Sequence, residues 1–67
     1  MTEAATLVMK IAALKAMCDN TAAILAAVAE ESTAKGNYGL AVAAIHLSDS
    51  LAVFSGECER SLLKDKK

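Results

Sequence analysis

The sequence predicts an all-α fold: an antiparallel hairpin of two long helices that assembles into a four-helix bundle, most simply as a homodimer. Three observations carry this. Apolar residues step by four and three on both sides of one glycine-marked turn. The first stripe is Leu7, Ile11, Leu14, Cys18, Thr21, Leu25, Val28 and the second is Leu40, Ala44, Leu47, Leu51, Phe54, Cys58. Proline is absent and alanine is the commonest residue, which favours helix because alanine loses the least side-chain freedom there. Hydrophobic residues make up 55% of the chain, more than one pair of stripes can hide.

Each element follows from local signals. Thr2 is a good cap for a first helix and Glu3 complements the positive end of its dipole. The pattern then runs over about residues 3–34, a rod of roughly 45–50 Å at 1.5 Å per residue. Lys35 and Gly36 supply a cation and a left-handed stop, and Glu31 stands four residues before Lys35, the spacing of a helical ion pair. A turn over about 35–38 is short enough to make the helices antiparallel. Asn37 caps the second helix, expected over about 39–63, and Lys64-Asp65-Lys66-Lys67 forms a short charged tail. Two interruptions compete with this reading: a break at the capping cluster Asp19-Asn20-Thr21, and a kink at Ser55-Gly56. Ser48, Ala52 and Gly56, four apart, form a small-residue strip where another backbone can come close.

At 67 residues the chain is a single domain near the lower limit for a self-sufficient core. Met17, Ile24 and Val8 lie beside the first stripe, and Val42 and Ile45 form an extra apolar line beside the second. A lone hairpin leaves these wet, and each forgoes about 1.5–3 kcal/mol of burial. Pairing two hairpins is the simplest remedy.

Little in the chain is equipped for chemistry. Cys18 and Cys58 fall at similar heights on facing stripes, so a disulfide is conceivable, but two free thiols acting as small hydrophobes fit better. His46 and Asp49 share a helix face, with Glu30 at comparable height, yet a zinc site needs more nitrogen or sulfur ligands than this. No nucleophile–base–orienter set and no glycine-rich phosphate loop is present, so no catalytic residue, metal or cofactor is expected and the chain does not read as an enzyme.

The net charge of −1 gives no signal for a polyanion. Lys10, Lys15, Arg60 and Lys64 gather at the open end, too thinly for phosphate binding, and Tyr38 and Phe54 are the only aromatics, so nucleic acid is an unlikely partner. The longest uncharged runs lie between Asp19 and Glu30 and between Lys35 and Asp49, short of the ~20 residues of a membrane span. With no secretory signal in Met1-Thr2-Glu3, a cytoplasmic protein is expected.

The hairpin layout resembles Rop-type proteins, small dimeric four-helix bundles that bind paired RNA loops. The resemblance is one of layout, and no functional residue carries over from it. The leading expectation is a non-catalytic interaction module of adaptor, inhibitor or anti-activator type, of the kind found in bacteria and phages, that binds itself and another protein. Met9, Val42, Ile45 and Val53, off the main stripes, and Tyr38 at the turn are the residues expected to meet a partner. The alternatives are a small anionic ligand held between subunits near Arg60 and Lys64, or Rop-like RNA binding.

Overall fold

The computed structural model describes residues 2–64 and consists of two helices packed as a hairpin: α1, Glu3–Ala34, and α2, Tyr38–Lys64. The all-helical hairpin expected from the sequence is what forms. The expected charged tail at residues 65–67 lies outside the described residues.

Local chemistry sets the ends. Thr2 is extended, and its hydroxyl accepts a hydrogen bond from the Ala5 N–H at 3.1 Å, satisfying one of the free donors of the first turn. At the other end Gly36 takes φ +81, a left-handed conformation that costs a side-chain-bearing residue. Its N–H donates to the Thr33 carbonyl at 3.1 Å and the Asn37 N–H to the Ser32 carbonyl at 2.8 Å, the two bonds of a Schellman stop. Asn37 then turns from ending α1 to starting α2: its side-chain Oδ1 accepts from the Leu40 N–H at 3.3 Å. The second helix consequently begins at Tyr38, one residue earlier than its pattern suggests.

Neither interruption appears. Helix α1 continues through Asp19-Asn20-Thr21 because Asp19 spends its side chain elsewhere. It accepts from Lys15 at 2.9 Å and, across the hairpin, from the Ser55 hydroxyl. Helix α2 continues through Gly56, where an added Cβ meets nothing within 4 Å. Gly56→Ala is therefore expected to raise stability by about 1 kcal/mol, read as a higher urea midpoint. The Glu31–Lys35 ion pair does not form: among the described residues the pairs are Lys15–Asp19 and Glu57–Arg60. Lys35 is itself the C-cap, with φ −93 and ψ 2, and it meets Glu31 through the backbone, its N–H donating to the Glu31 carbonyl at 3.1 Å.

The seam between the helices differs from the expected stripes. On α1 it runs Val8, Ile11, Lys15, Cys18, Ala22, Leu25, Ala29, Ser32; on α2 it runs Ala41, Ala44, Ser48, Leu51, Ser55, Cys58, Leu62. The step of three and four is kept, and one position of each pair, Ile11, Cys18, Leu25 or Ala44, Leu51, Cys58, is shared with the expected stripe. The other position moves by one residue. Leu7, Leu14, Leu40, Leu47 and Phe54, expected in the hairpin core, are instead between 41% and 56% exposed, and Thr21 is exposed too. The residues that replace them are mostly small: Ala22, Ala29, Ala41, Ser48 and Ser55.

The physical reason is close approach. Small residues let two helices pack toward the short end of the usual 8–10 Å separation. That brings Ser48 Oγ within 3.3 Å of the Ala22 carbonyl, to which it donates, and brings Ser55 to Asp19. A leucine at these positions would hold the backbones apart and forfeit both bonds.

Candidate functional site

With the seam in place, the hairpin has two unlike sides. In an antiparallel pair, positions one residue before the seam on both helices share one side, and positions one residue after it share the other. Two groups of contacts fix this assignment here. Asp19 meets Ser55, and Ala26, Glu30 and Thr33 line one groove with Ile45 and Asp49. On the opposite side, Glu31 and Ser32 line a depression with Leu40.

The first side is alanine-rich and charged. Its main feature is an open groove of about 470 Å³ near the turn, floored by Ala26, Ala29 and Ser48 and walled by Glu30 on α1 and Ile45 and Asp49 on α2. Tyr38 and Val42 precede Ile45 at helical spacing and continue the groove's α2 wall as an apolar strip, 64%, 53% and 47% exposed in that order. Three of the five residues expected to meet a partner thus come together. Met9 lies toward the far end of α1, and Val53 lies on the back of α2, away from the seam; both are exposed but neither joins the strip.

Asp19 anchors the middle of this side. Its carboxyl is held below the ordinary value of 3.8, first by the Ser55 hydrogen bond and then by that from Lys15. Lys15 is raised above 10.5, chiefly by the same bond to Asp19. Because the folded chain favours ionised Asp19, its contribution to stability is complete above the unfolded value of about 3.9 and disappears as pH falls through the lower folded value. Asp19→Asn is therefore expected to flatten the stability–pH curve below about pH 4, checked by urea titrations at stepped pH.

The second side is apolar. It carries Leu7, Leu14, Leu40, Leu47 and Phe54, with Met17 and Ile24 along its outer edge on α1. Sequence reasoning placed most of these inside the hairpin and so assigned them no surface role. The signal that could have found them is the parallel small-residue stripe, Ala22 and Ala29 against Ala41, Ser48 and Ser55, which competes for the seam.

The remaining candidates are scattered. Cys18 and Cys58 are buried free thiols on the seam. Glu30 and Asp49 reach the same groove, but His46 does not line it, and no group of three metal-ligating side chains occurs among the described residues. Arg60 is engaged by Glu57 one turn earlier, and both share a shallow depression with Ser61 and Lys64.

Both helices are long and apolar enough to cross a bilayer by length and composition, with mean hydropathies of 1.5 and 1.4 over their best stretches. Counting only charge-free runs missed this, because a helix of 32 residues carries its few charges within an otherwise apolar length. Glu30, His46 and Asp49 nevertheless stand exposed within that length. No protein family, curated protein or solved structure matches the chain.

Proposed function

We propose that the chain is a small non-catalytic interaction module that works as a homodimeric four-helix bundle in an aqueous compartment and presents the Tyr38–Val42–Ile45 strip and its groove to another protein. The observation that carries this reading is the inverted distribution of side-chain size. The buried residues are all small (Cys18, Ala29, Ser32, Ala41, Ala44, Ser55 and Cys58), while thirteen large apolar side chains stand exposed among the described residues and none is fully buried. The accessible surface is 5023 Å². A compact monomer of this mass exposes about 4,000 Å². The difference of about 1,000 Å² compares with the ~800 Å² per partner of a standard interface. Part of it comes from the rod-like shape, 50 × 17 × 12 Å, which side-by-side pairing of two hairpins corrects.

The interaction reading is supported over an anionic-ligand site because Arg60 already has Glu57 as its counter-ion. The acidic groove walls, Glu30 and Asp49, suit a partner that offers a cation beside a small apolar anchor. Light scattering on the purified chain is expected to give twice the chain mass. Affinity purification from the native host is expected to retain a protein that is lost with Ile45→Asp, while that variant keeps the doubled mass. Retention of the same protein by Ile45→Asp would remove the strip from the recognition surface.

A further inference from the structure

The geometry points to the Leu14–Leu47–Phe54 side of the hairpin as the face that a second copy of this chain covers, with the groove beside Ile45 left open. This rests on the self-association proposed above and adds which side goes inside.

The first argument is angular. On α1 the seam is centred between positions such as Ile11 and Lys15, while the heptad stripe of large residues is centred between Ile11 and Leu14. At about 100° per residue, the large-residue stripe is turned by about 50° from the line joining the two helices. Helix α2 repeats the offset, with Ala44 and Ser48 on the seam but Ala44 and Leu47 on the stripe. Both helices turn their stripes toward the same side. In a square array of four helices, the bundle axis lies about 45° off the line between neighbours. The large residues therefore aim where the axis of a four-helix bundle lies, and the small residues face the adjacent helix. A hairpin meant to stand alone has no use for such an offset.

The second argument is charge. Between Lys10 and Glu31 on α1, and between Leu40 and Glu57 on α2, this side carries no charged residue; its polar members are Thr21 and Ser50. The opposite side carries Asp19, Glu30, Asp49 and Glu59, whose burial would strip water from carboxylates with few counter-ions. Lys10 and Glu31 stand at opposite ends of the apolar side. Turning a second copy end for end sets each Lys10 near the other chain's Glu31, and the same-direction pairing sets it near the other chain's Glu57, so the end charges of this side suit a second copy in either direction.

The chain has no tryptophan, so single-tryptophan variants report burial directly. Phe54→Trp and Ile45→Trp are compared by emission wavelength at concentrations where light scattering gives the doubled mass. Phe54→Trp is expected to emit in the blue and to shift red on dilution to monomer, while Ile45→Trp stays red throughout. Leu47→Glu is expected to raise the dissociation constant by at least about 100-fold, since two copies of the lost contact occur per dimer. A single-chain mass for the unaltered protein at millimolar concentration would overturn self-association and the face with it. A doubled mass with Ile45→Trp blue and Phe54→Trp red would leave self-association standing and overturn the face. Flotation of the chain with phosphatidylcholine vesicles, with Phe54→Trp blue only there, would give the face to lipid and overturn the proposal.

Discussion

Ala44→Leu is expected to cost about 1–3 kcal/mol and to abolish cooperative unfolding if the cost reaches the upper end. Ala44 is 3% exposed, with Ala41 the most deeply buried position on the α2 side of the seam. Three added carbons have no cavity to enter, so the helices must separate. Separation stretches the bond from Ser48 Oγ to the Ala22 carbonyl, already 3.3 Å long, and then that from Ser55 to Asp19. In a chain of this size each 1 kcal/mol shifts the thermal midpoint by about 4–8 °C, so a loss of about 4–24 °C is the expected reading by circular dichroism. The control is Ala13→Leu, exposed on the back of α1, where the change should stay within about 0.5 kcal/mol. If Ala44→Leu instead stabilised the chain, the close approach of the two helices would be wrong; the result does not choose between the small-residue seam and the leucine stripes, because Ala44 belongs to both.

That choice between seams marks where the sequence stops being legible. Helix content, the Gly36 stop and the Thr2 and Asn37 caps are local, and they can be read from neighbours three or four residues apart. The seam is not local. Two stripes of correct period run side by side on each helix, one of large residues and one of small, and periodicity ranks them by apolar content alone. That ranking favoured Leu7, Leu14, Leu40, Leu47 and Phe54 for the hairpin, since it holds no term for how near two backbones can come. Asp19 was opaque for a related reason. Its capping chemistry suggested a helix break, whereas its partner Ser55 lies far away in sequence and becomes visible only once the register is known. The strip at Tyr38, Val42 and Ile45 was legible because all three lie on one helix, while Glu30, which completes the groove, comes from the other.

The double substitution Leu47→Ala with Phe54→Ala separates a lone hairpin from an assembled one by the size of its effect. Both side chains are about half exposed in the hairpin, so without a partner their truncation should change stability by little more than a surface substitution, about 0.5 kcal/mol each. Covered by a second copy, they become core residues, and their loss costs about 2–5 and 3–5 kcal/mol per protomer. Folding and assembly would then be one equilibrium, and the thermal midpoint of the unaltered chain should climb as protein concentration rises. The double variant should lose that dependence and unfold at a lower temperature that dilution no longer changes. A concentration-independent midpoint in the unaltered chain, with a small effect of the double substitution, would leave the leucine face exposed in solution. The bundle would then have to be abandoned. The opposite outcome would make Leu47 and Phe54 the residues that turn a marginal hairpin into a stable protein, and would leave the acidic groove beside Ile45 as the surface free for a partner.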